Sequence, residues 1–181
     1  MHFFPAIFKN LLTDLMKYMI MLIGLISDTH IGAKRGELSK NVIEAFDGVD
    51  LIIHAGDITQ KKVIDELESL APVIAVLGNN DKLELNKTEV IEAENFKIGI
   101  NHATCCSNDF DKLCRLAVEL DVDVLISGHT HQPHCRIIDD ILFVNPGSSN
   151  RPIKSDASVA TLNIDKGHES VDEIEIDFIK L

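Results

Sequence analysis

Apolar positions along this chain fall into short runs, and most of the runs stop at a polar cluster. Residues 21–26 (MLIGLI), 51–53 (LII) and 73–77 (VIAVL) are continuous apolar stretches, as in strands buried on both faces. Between them, Leu38, Val42, Ile43 and Phe46 repeat at helical spacing over 37–47. Residues 60–70 (QKKVIDELESL) read as a second helix that closes before Pro72. The order β-α-β-α-β is that of a parallel sheet with right-handed crossovers. The second half changes character. Residues 88–94 and 96–101 predict a hairpin turning at Glu94-Asn95, and 108–120 a helix with Phe110, Leu113, Leu116, Ala117 and Leu120 on one face. Residues 122–127 are another buried strand. A hairpin over 134–138 and 141–144 turns at Asp139-Asp140, and 157–164 and 171–178 alternate as antiparallel strands. No repeat or linker divides this stretch. A single α/β domain over residues 21–181, with mixed sheets and helices outside, is the expectation.

Residues 1–20 stand apart as an amphipathic extension. Their apolar positions (3, 4, 7, 8, 11, 12, 15, 16 and 19) follow one helical face, interrupted by Lys9, Asn10, Asp14 and Lys17. No run reaches the roughly 18 apolar residues that a bilayer span needs, and a secretory signal's basic region and small-residue cleavage site are missing. Three readings stay open: a helix docked on the body or on a second subunit, giving a homodimer or higher homo-oligomer; an upstream extension to a start at Met19 or Met21; and a membrane anchor. The thin basic character of the polar face argues against the anchor, and a cytoplasmic protein without membrane association is expected.

Composition narrows the partners. Seventeen Lys and Arg against 29 Asp and Glu give a net charge of −12. Extended nucleic-acid binding is therefore disfavoured, because that affinity comes from basic patches releasing counterions. The four cysteines, at 105, 106, 114 and 135, lack C-x-x-C spacing and read as free buried thiols in a reducing compartment rather than a zinc site.

The chemistry sits at the strand ends. Asp28 with His30, Asp57, Asn79, His102, and His129 with His131 each follow an apolar strand within about three residues. In open α/β sheets, ligands bind outside the carboxyl ends of parallel strands. Each cluster alone is weak, since Gly-Asp and Gly-Asn-Asn-Asp are common turns; the ordered set carries the argument. Carboxylate, imidazole and amide oxygen without thiolate suit manganese, iron, zinc or nickel. Seven ligands are too many for one catalytic metal that must keep an open position. Two ions bridged by Asp57 would take four protein ligands each, and a pair of cations is a device for phosphoryl transfer. Such a site is locally positive in spite of the acidic chain.

The series Asp28-Thr29-His30, Gly56-Asp57, Gly78-Asn79-Asn80-Asp81, Asn101-His102 and Gly128-His129-Thr130-His131 resembles the motif series of the calcineurin-like metallophosphoesterase superfamily. The short length, the Ile-Ser-Asp-Thr-His opening and Asn145-Pro-Gly-Ser148 are similar to its small prokaryotic phosphodiesterase branch. The resemblance covers about residues 21–181. It implies a four-layer α/β/β/α sandwich of two mixed β-sheets flanked by helices. It also implies one metal held by Asp28, His30, Asp57 and His131 and a second by Asp57, Asn79, His102 and His129. The ions would be divalent, with manganese favoured over nickel, iron, zinc or cobalt. The implied reaction is hydrolysis of a small phosphodiester by a metal-bound hydroxide, with catalytic contributions from Asn80, Asp57 and His102. Two positions depart from the pattern. Asn80 stands where many members have a His that binds phosphate and protonates the leaving group; general acid help is worth roughly 10²–10⁴ in rate, so good leaving groups are favoured. Asn101 replaces a usual Gly and should perturb the backbone locally. The alternatives are a phosphomonoesterase or nuclease on the same site, or a non-catalytic scaffold like retromer's phosphoesterase-fold subunit.

Other polar residues have blander readings. His54 lies inside a strand as a core histidine. His134 is a loop residue or a rim contact, and His2 and His168 are exposed bystanders. Cys105 and Cys106 pack beside the site, and Asp81 is placed to orient a ligand His.

Overall fold

The computed structural model describes residues 20–31, 37–103 and 109–181. The extension at 1–19, with His2, and Cys105 and Cys106 lie outside the described residues. Among the described residues, ten strands form two five-stranded sheets. In chain order the elements are β1 (Ile20–Ile26), α1 (Lys40–Ala45), β2 (Leu51–His54), α2 (Lys61–Glu68), β3 (Val73–Ala75), β4 (Thr88–Ala93), β5 (Phe96–Asn101), α3 (Phe110–Leu120), β6 (Val124–Ile126), β7 (His134–Ile138), β8 (Ile141–Asn145), β9 (Ser158–Asp165) and β10 (Glu175–Lys180).

The first sheet has the order β10-β9-β1-β2-β3 and the second β4-β5-β6-β8-β7. β1, β2 and β3 are parallel, with Ile23 opposite Leu51 and Ile53 opposite Ile74. β5, β6 and β8 are parallel in the other sheet. Both sheets are mixed, because β9 and β10 run antiparallel on one and the predicted hairpins β4–β5 and β7–β8 close the other.

Both faces of the central strands are apolar because both are covered. Ile23, Leu25 and Ile53 meet Ile98, Val124, Ile126 and Val144 between the sheets. On the outer face of the first sheet, Ile52 and Val159 pack with Val42, Phe46, Val63 and Leu67 of the α1 and α2 region. On the outer face of the second, Leu125 and Phe143 pack under Leu113 and Ala117 of α3. The layers are helix, sheet, sheet, helix, as expected. Helix ends follow local chemistry: the Ser39 side chain caps α1 by accepting from the Val42 N–H, and Asp109 caps α3 by accepting from Lys112.

Four expectations need correction. Residues 171–173 form a 3₁₀ turn, and the last strand runs from Glu175. Ser170 and Glu173 make a reciprocal capping box there, which turns the chain and buries Val171. His134 opens β7 opposite Asn145 and is not a loop residue. His168 is half-buried, and its Nδ1 accepts from the Asp165 N–H to close the turn after β9. Cys114 and Cys135 are free but not buried: Cys114 is half-buried and Cys135 exposed, since its strand is the sheet edge.

Candidate metal centre

The C-terminal ends of β1, β2, β5 and β6, with the loop that follows β3, converge at one edge of the sandwich. Asp28 and His30 leave β1, Asp57 leaves β2, Asn79 follows β3, His102 follows β5, and His129 and His131 follow β6. Asp28, Asp57 and His102 are buried, His30, His129 and His131 half-buried, and Asn79 and Asn80 exposed. The cluster is thus rooted in the core and open on one side.

The backbone is forced into this shape. Asp28, His30, Asp57, His129 and His131 all have left-handed φ, between 41° and 69°. Such conformations cost about 1–3 kcal/mol each for non-glycine residues and persist only where the surroundings over-determine them. Here the β1–β2 ladder continues into the loops: the Asp28 N–H donates to the Gly56 carbonyl at 3.0 Å and the His30 N–H to that of Asp57 at 3.1 Å. The close approach also demands glycine. A Cβ at Gly78 would collide with the backbone N and Oδ1 of Asp57, and one at Gly128 with Ser27 Oγ.

Asp28 is the centre of the cluster. Its Oδ2 accepts from Ser27 Oγ (2.6 Å) and the His129 N–H (3.0 Å). Its Oδ1 is buried without a hydrogen-bond partner. That orphaned oxygen lies 3.2 Å from His131 Nε2, 3.8 Å from His30 Nε2 and 3.9 Å from His102 Nε2. Asp57 Oδ2 lies 3.4 Å from both His30 Nε2 and His102 Nε2. Asn79 Oδ1 lies 3.2 Å from His102 Nε2 and 3.0 Å from His129 Nδ1. All seven sequence-predicted side chains therefore meet in one cluster.

The tautomers fit a cation. His102 Nδ1 donates to the Ala55 carbonyl at 2.8 Å, and His131 Nδ1 donates to the Arg151 carbonyl. The Nε2 atoms of the neutral rings are then lone pairs facing carboxylate oxygens, and His30 Nε2 faces His131 Nε2 at 3.3 Å. Bare donors converging on a buried, unpartnered carboxylate oxygen are the arrangement that a divalent cation satisfies. Among the described residues, two groups could hold one: Asp28, His30 and His131, and Asp28, Asp57 and His102, the ligand atoms of each within 4.8 Å of one another.

In the protein without a cation, the same groups compete for protons instead. Burial pushes the Asp28 carboxyl up, against the Ser27 hydrogen bond and the charges of His102 and His131. At Asp57 burial is outweighed by hydrogen bonds from His102 and from the Asn80 backbone and side chain, so its carboxyl sits well below the usual range. Burial lowers His30 and His129, while at His102 it is outweighed by Asp57, Asp28 and the Ala55 carbonyl, which hold that imidazole above its ordinary value.

Neighbouring residues take definite places. Asn80 donates from its backbone N–H to Asp57 Oδ1 (2.8 Å) and from its amide to Oδ2 (2.6 Å). Asp81 orients no histidine; its carboxylate accepts from the N–H groups of Thr59 (2.6 Å) and Gly78 (2.8 Å), tying the Asp57 loop to the Asn79 loop. Asn101 caps its own strand end, accepting from the Ala103 N–H at 2.7 Å, with Ala103 in the left-handed region. His54 is a fully buried core histidine bonded to Thr29. Sequence reasoning missed Ser27 and the Arg151 carbonyl. The serine precedes Asp28 directly and could have been noticed; a backbone acceptor leaves no mark in the sequence.

A two-sheet sandwich with this strand-end constellation defines a class. The family profile described as the calcineurin-like phosphoesterase superfamily domain matches residues 21–167. The chain belongs to that superfamily. It is 46% identical over 149 residues to a probable metallophosphoesterase of Methanothermobacter thermautotrophicus, covering 80% of this chain and 87% of that one. It is 34% identical over 146 residues to a protein named phosphodiesterase from Methanocaldococcus jannaschii, covering 70% and 83%. Among solved structures, vacuolar protein sorting 29 of Cryptosporidium parvum aligns with a TM-score of 0.77 over 90% of this chain and 98% of that one. At 20% identity that last likeness is one of fold.

Proposed function

We propose that the protein is a dimetal-dependent phosphodiesterase acting on a small phosphodiester, its catalytic domain spanning residues 21–181. The observation that carries this reading is the buried Oδ1 of Asp28, without a hydrogen-bond partner and surrounded by three imidazole nitrogens. The name of the Methanocaldococcus relative supports the diester over the monoester. Asp28, His30, Asp57 and His131 would hold one ion, and Asp57, Asn79, His102 and His129 the other. Manganese is the favoured ion, with nickel, iron, zinc and cobalt as alternatives. When bound, divalent cations supply Lewis acidity toward phosphate oxygens and lower the pKa of water.

The chain's own residues do the rest. Asn80 fixes the Asp57 carboxylate through two donated hydrogen bonds, so that both oxygens are aimed before substrate arrives. The Ala55 and Arg151 carbonyls fix the tautomers of His102 and His131. Asn80 carries no titratable proton, so esters with good leaving groups are the preferred substrates. Among the described residues no helix is long and apolar enough to cross a membrane; the proposed setting is cytoplasmic.

The test is hydrolysis of bis(4-nitrophenyl) phosphate by the purified chain with manganese, compared with 4-nitrophenyl phosphate. The diester should be the better substrate, and Asp57→Asn should lower turnover by at least about 10²-fold by removing the shared carboxylate. Absence of hydrolysis with each of manganese, nickel, cobalt and zinc would overturn the reading, as would full activity in Asp57→Asn.

A further inference from the structure

The loop after β8 is bound to the candidate site from both sides. Ser148 Oγ donates to the Asp28 carbonyl at 2.7 Å and accepts from the Arg151 N–H at 2.8 Å. One residue of that loop, Arg151, gives its own carbonyl to His131 Nδ1. The backbone of Arg151 is thereby fixed beside the His30–His131 pair, while its side chain is exposed. Among the described residues no carboxylate lies within ion-pairing distance of it.

A second observation says what such a cation is for. Asn80, the exposed amide beside the cluster, is turned to Asp57 at 2.6 Å. The phosphate's outer oxygens are left to another donor. We propose that the Arg151 guanidinium is the substrate-phosphate clamp of this site, donating to the non-bridging oxygens of the phosphodiester. The inference rests on the phosphoesterase reading and names the residue that recognises the charged group. Arginine suits the task, since its planar fork matches two phosphate oxygens and stays charged at all working pH values. A rigid loop spends little entropy in presenting it. Lys87 lines a cleft on the Asn79 and His102 side of the cluster and is the competing cation tested beside Arg151.

The experiment uses the full chain loaded with manganese, as wild type, Arg151→Gln, Arg151→Lys and Lys87→Gln. Binding of inorganic phosphate is measured by calorimetry, and KM and kcat with bis(4-nitrophenyl) phosphate. A charge-assisted hydrogen bond corresponds to roughly 10- to 100-fold. Arg151→Gln should weaken phosphate and raise KM by that factor, with Arg151→Lys recovering part and Lys87→Gln matching wild type. Every substitution at 151 keeps the backbone carbonyl, so metal content should stay unchanged. Unaltered phosphate affinity in Arg151→Gln overturns the proposal, as does metal loss from that variant, or a loss of phosphate binding in Lys87→Gln instead. A wild type that binds phosphate through Arg151 but hydrolyses no ester leaves the clamp standing and removes the phosphodiesterase reading.

Discussion

His54 is an imidazole at zero exposure whose hydrogen bonds determine its proton. Nδ1 accepts from the Gly56 N–H at 3.2 Å, so Nε2 carries the hydrogen and donates to Thr29 Oγ1, also at 3.2 Å. Thr29 in turn donates to the Ile58 carbonyl at 3.2 Å. One neutral ring thus ties the Asp28-Thr29-His30 loop to the Gly56-Asp57 loop. Burial first, and the nearby His102 charge second, push its pKa from 6.5 to about 3. Between those values the unfolded chain binds a proton that the folded chain refuses, so the stability contributed by His54 falls as pH is lowered through that window. Each pH unit within it changes that contribution by about 1.4 kcal/mol. The stability gap between wild type and His54→Gln, from urea unfolding with chelator present, should be widest above pH 6.5 and narrow towards pH 4. A gap that is constant with pH would show that His54 is not held neutral. Gly128 is the other informative residue. An added Cβ there would meet Ser27 Oγ, and lie 2.8 Å from the Ala55 carbonyl and 3.0 Å from His102 Nδ1, displacing the donor–acceptor pair that sets the His102 tautomer. Gly128→Ala should cost about 1–3 kcal/mol of stability by overpacking. It should also weaken metal binding roughly 10- to 100-fold, as loss of a ligand's supporting hydrogen bond does. Thermal melts and metal titration check the two effects separately.

Elements differ in how plainly the sequence announced them. β1, β2 and β6 read clearly because their residues are largely buried, leaving short apolar runs that end abruptly at Ser27, His54 and Ser127. The helices read through spacing: Val63 and Leu67 of α2, and Leu113 and Ala117 of α3, are the buried positions in each. The 3₁₀ turn at Val171–Glu173 was obscured because the alternation of Ile174, Ile176 and Phe178 was extended back to Val171, which lies three residues before Ile174 and out of phase with it; the Ser170–Glu173 spacing was the signal that marked it. At the site, side-chain donors were legible because metal chemistry restricts residue type. The Arg151 and Ala55 carbonyls, and the backbone bonds accepted by Asp81, were not, because any residue supplies a carbonyl or an N–H. The layer under α3 makes an element-scale prediction. Phe143 is 1% exposed and its ring meets Phe110 edge-on with centroids 5.2 Å apart. Phe143→Ala should cost about 3–5 kcal/mol in urea unfolding. A loss below about 1 kcal/mol would mean that this helix is not anchored there.

At the scale of the whole molecule, the candidate site is a seam. Asp28, Asp57 and Asn79 come from the first sheet and His102, His129 and His131 from the second, so bound cations would join the two sheets at the edge of the apolar core between them. Anything that binds only the folded form raises its apparent stability by mass action. Chelation should therefore lower the unfolding temperature, and readdition of manganese should restore it with a dependence on metal concentration. A melting point indifferent to both would argue that the seam holds no ion. The net charge of −12 does not conflict with an anionic substrate, because only two of the 29 carboxylates, Asp28 and Asp57, belong to the cluster.

The position of β1 carries a consequence for how the protein is made. β1 bears Asp28, yet it is flanked by β2, close in sequence, and by β9, at Ser158–Asp165. A ribosome that has released Asp28 and Asp57 has yet to synthesise His129 and His131, and then the strand that closes the far side of β1. The pocket therefore does not exist during most of translation. Early carboxylates emerge without the imidazoles that would complete a high-affinity site, and ion capture is deferred until nearly the whole domain has been made. Which metal enters would then be decided by the ions available to the finished fold, not by those encountered by the nascent chain.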